Sequence, residues 1–192
     1  MDMERVPPQQ RRNKMSVVVH PLFGGGGEIP LSAKDMVLWD IGVDEAMRLN
    51  DIWHSVLPDT NKGNLLRNKH TAFYAVEFDG RYYGVGIWTS PIAANRLSFE
   101  AIELRRLAIS DDAPKYTATR MLSMMRKSLK KKFPEIQRAI SYQAVEHHAG
   151  TIYKADNWKP AAETPYVPWA KESRKRIDGQ TSSNKIRWEI FL

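Results

Sequence analysis

The stretch ELRRLAISDDAPKYTATR, Glu103 to Arg120, constrains the fold of this chain more than any other. It reads as a strand ending at Ser110, a short polar loop, and a helix entered through Pro114. The charged pair Arg105 and Arg106 sits inside the strand-like run, with Leu104, Leu107 and Ile109 around it. A helix N-terminus directly after a strand presents unpaired backbone N–H groups and partial positive charge, which suit a phosphate. Thr117 and Thr119 can add hydroxyl donors there, and Lys115 and Arg120 can add charge. An ordinary strand–helix junction is the competing reading of the same residues.

The neighbouring segments supply a sheet for this junction to belong to. TAFYAVEF and RYYGVGIWT flank Asp79-Gly80, the dipeptide of a tight hairpin turn, so two strands are expected over Thr71–Thr89. Gly84 and Gly86 in the second strand suggest a bulge or a close backbone approach. With the Glu103–Ser110 run, three antiparallel strands are expected side by side. Upstream, Ser16–Leu22 and Met36–Ile41 read as strands, and a helix capped by Asp44 carries Ala46, Leu49, Ile52, Trp53 and Val56 toward Pro58. Gly24–Gly27 lacks the spacing of a phosphate loop and reads as a linker. Downstream, Pro114 to Lys132 is an amphipathic helix with Leu122, Met125 and Leu129 on one face. Ile136–Ser141 is the next strand, a short helix spans Thr151–Asn157, and Lys185–Leu192 is a last strand. The order describes a single mixed α/β domain, α+β in its sheet, over residues 16–192. A basic arm covers 1–15, and a basic extension starts at about 165.

Composition narrows the partners. Lys and Arg number 29 against 22 Asp and Glu, a formal net charge of +7 that favours anionic partners such as nucleic acid or a phosphorylated cofactor. The absence of cysteine excludes disulfides, thiolate metal sites and a cysteine nucleophile. No apolar run reaches the roughly 18 residues of a membrane span, and no secretory signal opens the chain, so a cytoplasmic protein is expected.

The element order, with ELRRLAI leading to a helix N-terminus and then GTIYKADNW, resembles the GNAT acyltransferase fold. In that fold two strands splay apart, acyl-CoA lies in the gap, and its pyrophosphate rests on the following helix. The usual glycine-bearing loop is replaced here by DDAPKYTATR. The blocks LRRLAISDDAPKYTATRML, SYQAVEHHAGTIYKADNW, WHS and KIRWE resemble phage-encoded proteins of the Mom DNA-modification family, in patches over roughly residues 40–190. That resemblance implies modification of the exocyclic amine of adenine in duplex DNA in a bacterial host cell, shielding phage DNA from restriction. It implies acetyl-CoA as cofactor, and an iron has been proposed for the family.

Carried over residue by residue, Tyr153 matches the tyrosine that protonates the leaving CoA thiolate, and His54 matches a histidine near the first helix that can act as base or orient the substrate. His148 can contact substrate or metal. The cofactor would follow Leu107, Ala108 and Ile109 to Lys115, Thr117, Thr119 and Arg120. Ser141 and either Arg105 or Arg106 would meet substrate. Strand alternation puts the two arginines on opposite sides, so only one would reach a given site. The basic arm, the cluster Arg126–Lys132 and the run Lys171, Arg174, Lys175 and Arg176 would hold DNA phosphates. Trp88, Trp158 or Trp169 would stack on a displaced base. Iron would draw on His54, His148 and Glu146 or Glu103, although no ligand spacing marks a metal set. The SYQ block is typically followed by Asp, and this chain has Ala144. Two other functions stay open: a conventional GNAT N-acetyltransferase acting on a small amine or a protein lysine, and a catalytically degenerate DNA-binding protein. A homodimer is among the expected partners.

Overall fold

The Asp79-Gly80 pair turns the chain as expected, because both residues adopt positive φ (48° and 74°) and so match the twist of the strands they join. The computed structural model describes residues 14–19, 28–54, 61–91, 100–165 and 183–192. In chain order these form β1 (Val17–Val18), a 3-10 turn (Ala33–Asp35), β2 (Val37–Asp40), α1 (Val43–Trp53), α2 (Lys62–Leu66), β3 (Thr71–Phe78) and β4 (Arg81–Thr89). They continue with β5 (Ala101–Ile109), α3 (Thr117–Lys132), β6 (Arg138–Ala144), α4 (Thr151–Ala155), β7 (Lys159–Thr164) and β8 (Lys185–Phe191).

One mixed sheet runs in the order β2-β3-β4-β5-β6-β8-β7, with β1 added beside the start of β4. The pairs from β2 to β5 are antiparallel, as expected for the central three strands. The β5–β6 pair is parallel and short, running only from Ala101↔Arg138 to Leu104↔Ser141. Beyond that point β6 pairs only with β8, and the two central strands diverge. The GNAT expectation of a splayed strand pair is met here.

Helices cover both faces. On one, Met121, Leu122, Met125 and Leu129 of α3 are fully buried against Tyr74, Val76, Trp88 and Leu104. Each such side chain contributes roughly 1.5–3 kcal/mol relative to exposure. The glycines of β4 permit the close approach, since a Cβ on Gly84 would sit 2.7 Å from Ile109 Cδ1 and 3.3 Å from Met121 Sδ, and one on Gly86 would overlap Met125. On the other face Ala46, Leu49 and Trp53 of α1 pack on Phe73, Ala75, Val85, Ile87 and Ala108.

Several boundaries differ from expectation for local reasons. The N-cap of α1 is Gly42, and Asp44 lies within the first turn, where its charge still suits the helix dipole. That helix stops at Trp53, with His54 as its C-cap, and Val56–Pro58 lie outside the described residues. Helix α3 starts at Thr117 because Tyr116 is held in the left-handed region (φ 70°), which a helix interior cannot contain. Strand β6 lies two to three residues later than expected. Among the described residues the first strand spans Val17–Val18, and residues 20–22 and the Gly24–Gly27 linker lie outside the described residues. Both α2 and β7 went unread in the sequence.

Candidate functional site

The site begins where β5 and β6 part. At the apex, Ser141 of β6 lies against the Leu104 carbonyl (3.5 Å), and its hydroxyl meets the Tyr153 phenol at 2.9 Å. Tyr153 is 8% exposed; burial pushes its hydroxyl above the ordinary phenol range, against the opposing pull of the Ser141 hydrogen bond. A phenol so placed keeps its proton until a stronger base forms beside it. Tyr153 reaches the apex because Gly150 starts α4 at φ +70°, where a Cβ would meet Gln143 Oε1 at 2.5 Å and Trp188 at 2.8 Å. Its ring stacks on Trp188 (5.4 Å, 14°) and meets Trp158 edge-on at 5.5 Å.

Gln143 is a functional-site residue that sequence reasoning missed. Its Nε2 donates to the His148 carbonyl, and its Oε1 accepts from Trp188 Nε1 at 2.7 Å. One buried amide therefore fixes both the loop that carries His148 and the ring beneath Tyr153. Its place in the SYQ block, two residues after Ser141 on the same strand face, is the signal that could have revealed it.

The α1 face of the gap holds a cavity of about 240 Å³ lined by Lys14, Trp53, His54, Leu107, Ala108, Ile109, Asp111 and His148. His54, His148 and the three cofactor-strand residues, far apart in sequence, are thus brought together. Burial pulls the His54 imidazole down to about 4, with the charges of Arg106, His148 and Lys14 acting in the same direction. It is uncharged at physiological pH. The chain reaches this cavity before the expected arm ends. The Lys14 carbonyl accepts from Asp111 N (2.9 Å) and the Met15 carbonyl from Trp53 Nε1 (3.0 Å). Ser16 Oγ donates to Asp112 at 2.6 Å and accepts from Arg81 Nε at 2.9 Å.

The expectation that Arg105 and Arg106 face opposite ways does not hold. A bulge between Ile87 and Trp88 sets Arg106 against Ile87 and Leu104 against Trp88, leaving Arg105 as the extra residue. Alternation shifts by one, so Leu104 and Leu107 share the α3 core while Ala108 joins the α1 core. Arg105 Nε lies 3.6 Å from Glu103, and Arg106 Nη1 donates to the Arg105 carbonyl at 2.7 Å. Burial and the Arg105 charge pull Arg106 down to about 10, still fully cationic at neutral pH. Ala144, last in β6, is on the strand face opposite Ser141 and Gln143.

At the phosphate end, Thr117 is buried and its hydroxyl is engaged by the Pro114 carbonyl at 2.7 Å, so it does not offer the donor expected of it. Thr119 is partly exposed, and Lys115 and Arg120 are exposed around a helix N-terminus that no side chain caps. Other expectations are corrected by packing. Trp88 and Trp158 are core residues, 0% and 2% exposed, and cannot stack on a base; Trp169 lies outside the described residues. Much of the Arg126–Lys132 cluster is engaged internally. Arg126 binds Asp156 bidentately (2.8 Å each), Lys132 meets Asp40 at 2.6 Å, and Lys130 donates to the Leu192 carbonyl. Lys171, Arg174, Lys175 and Arg176 lie outside the described residues. Iron is not supported by the donors: no group of three or more His, Asp or Glu gathers among the described residues, Glu103 faces Arg105, and Glu146 is exposed in a turn. No described helix is long and apolar enough to cross a membrane.

Comparison with known proteins agrees with this geometry. The Mom protein family matches residues 79–188. A search of curated proteins gave no significant match. Among solved structures, the ribosomal-protein-S18-alanine N-acetyltransferase from Escherichia coli superposes with a TM-score of 0.57 at 12% identity, covering 81% of this chain and 93% of that one. The spermidine N-acetyltransferase from Vibrio cholerae, in complex with CoA and spermine, gives 0.58 at 11% identity over 82% and 96%. A GNAT family acetyltransferase from Elizabethkingia anophelis, with acetyl-CoA bound, gives 0.54 at 10% identity over 82% and 99%. These likenesses establish the GNAT fold.

Proposed function

The chain belongs to the Mom protein family, and we propose that it is a DNA-modifying transferase that uses an acyl-CoA and acts on the exocyclic amine of adenine. One observation carries the reading: the β5–β6 gap has the Ser141–Tyr153 pair at its apex and the His54 cavity on its open face. Acyl-CoA suits the gap because β5 beyond Leu104 has no strand partner on the β6 side among the described residues, leaving backbone groups for a pantetheine chain along Leu107–Ile109. Its phosphates would meet the backbone N–H groups at the start of α3, Thr119, Lys115 and Arg120. When bound, the cofactor supplies an activated thioester carbonyl.

The residues then divide the work. Tyr153, its proton retained by burial, would be the proton donor to a thiolate leaving group. Ser141 holds the phenol oxygen in place at 2.9 Å. His54, uncharged, would take up the proton that the adenine amino group gives up, which balances the proton Tyr153 would give to the leaving thiolate. The base must first leave the stack or be met single-stranded.

Nucleoside mass spectrometry on DNA from bacteria expressing the chain tests this. A heavier adenine nucleoside is expected from the wild type, reduced at least about 100-fold by Tyr153→Phe if the phenol is the general acid. Product from Ala144→Asp alone would mean that a carboxylate at the end of β6 is required and that this copy lacks it. Silence from all three, with acetyl-CoA turnover on an amine in the absence of DNA, would replace this reading with that of a conventional N-acetyltransferase.

A further inference from the structure

Lys14, Met15 and Ser16 run beside the His54 cavity as a strap, and each of the three is held by a different part of the fold. The Lys14 carbonyl accepts from Asp111 N at 2.9 Å, in the loop between β5 and α3. The Met15 carbonyl accepts from Trp53 Nε1 at 3.0 Å, at the end of α1. Ser16 is fixed from two sides. The Asp112 carboxylate accepts from its backbone N–H at 2.8 Å and from its hydroxyl at 2.6 Å. Arg81, first in β4, donates Nε to the same hydroxyl oxygen at 2.9 Å and Nη2 to the Ser16 carbonyl at 3.0 Å. Ser16 is 7% exposed, so these charge-assisted bonds are shielded from water. Apolar packing does little to hold the strap, because the Met15 side chain is 48% exposed. Three residues that the strap comprises or binds, Lys14, Trp53 and Asp111, line the cavity beside His54. Asp112 is not among the lining residues and reaches the cavity only through Ser16 and through its neighbour Asp111.

We propose that Asp112 is a positioning residue for His54: its carboxylate clasps Ser16 and thereby seats the strap that walls the cavity around the imidazole. The role rests on reading His54 as the group that receives the acceptor's proton. Both donors of the clasp come from one residue, and a carboxylate is the side chain that can accept from both at once. An asparagine in its place turns an N–H toward one of those donors and loses that bond. The seat matters to His54 because burial is the first cause that keeps its imidazole uncharged, followed by the charges of Arg106 on β5, His148 in the loop before α4 and Lys14 on the strap. Asp111 is the acid on the lining. A loose strap therefore exposes the ring and displaces both Lys14 and Asp111, and the site loses the fixed wall against which an acceptor amine is held.

The test is an NMR titration of His54 in the full chain, for the wild type, Asp112→Asn and Ser16→Ala, with urea midpoints measured on the same samples. Asp112→Asn is expected to raise the His54 midpoint by at least about one pH unit from its wild-type value. Ser16→Ala keeps the amide bond to Asp112 and the Arg81 bond to the carbonyl, and should raise it by less. If Asp112→Asn fails to fold, Ser16→Ala carries the test alone, with a rise expected and none overturning the proposal. A folded Asp112→Asn that loses stability while the His54 midpoint stays put shows a merely structural tie and overturns the proposal. Asp35→Ala is the control, since it removes a carboxylate that caps the 3-10 turn by accepting from Ser32 N at 3.0 Å. An equal rise in that variant assigns the effect to general loosening and overturns the proposal too. So does a wild-type midpoint already near the free value, because the strap then encloses nothing. Nucleoside analysis reads separately. Asp112→Asn is expected to lower the yield of modified adenine about tenfold or more. A shifted His54 with no modified adenine from the wild type leaves the role of Asp112 standing and removes the DNA reading. Modified adenine undiminished in a folded Asp112→Asn removes that role and keeps the DNA reading.

Discussion

His54 ends α1 with Arg106, His148 and Lys14 as neighbours, and burial together with those charges pulls its imidazole down to about 4. In the unfolded chain the same group titrates near 6.5. Between those values the unfolded state binds a proton that the folded state refuses, so this residue's contribution to stability is present above about 6.5 and is lost as pH falls toward about 4. An NMR titration should therefore show a wild-type midpoint near 4, and Arg106→Gln should move it up toward the free value. A wild-type midpoint close to 6.5 would mean that the cavity is wet and that His54 is not the neutral acceptor argued for it. Denaturant midpoints measured from pH 7 to 4.5 give the thermodynamic counterpart. They should fall more steeply for the wild type than for His54→Gln.

Helix α4 has five residues, too few to be stable alone, yet it carries Tyr153. What holds it is the bidentate pair from Arg126 of α3 to Asp156, whose carboxylate also accepts from Trp158 Nε1 at 2.8 Å. Asp156→Ala would strand a partly buried guanidinium and a buried indole N–H together, a loss of about 3 kcal/mol by analogy with other broken buried pairs. Replacing both partners with apolar residues should recover much of it. Urea unfolding of the three variants decides; a cost under about 1 kcal/mol for Asp156→Ala would show that aromatic packing alone seats α4. Elements set by local chemistry were legible in the sequence. The Asp79-Gly80 hairpin, the amphipathic α3 and the GTIYKADNW turn-and-helix all carry their cause within a few residues. Elements set by distant partners were not. Strand β7 hides behind Pro160, tolerated because β7 is an edge strand and its register with β8 is irregular at that point. The β5 bulge that turns Arg105 and Arg106 depends on β4, and the meeting of His54 with His148 depends on the whole sheet. Resemblance, not pattern, brought those two histidines into one site.

At the scale of the molecule, a net charge of +7 says little until its location is known. On the α3 face Arg126, Lys130 and Lys132 are held by Asp156, the Leu192 carbonyl and Asp40, which leaves Lys127 and Lys131 as the members of the Arg126–Lys132 cluster without such partners among the described residues. The α1 face has Lys14 on the cavity lining, and Arg105 and Arg106 on β5 just before the lining residues Leu107–Ile109. If duplex DNA delivers adenine to His54, it approaches the second face, and its phosphates are met by cations on that side. Binding must then weaken with salt. Neutralising about five phosphates gives a slope of about −4.5 in log K against log salt, or roughly a 500-fold loss between 50 and 200 mM. Replacing Lys127 and Lys131 together with Gln should leave that slope unchanged, since neither lies on the face that DNA meets. A slope reduced by about two in that variant would put the duplex on α3, out of reach of His54, and the adenine chemistry would have to be abandoned even with DNA binding intact. A slope near zero in the wild type would remove DNA as a partner altogether.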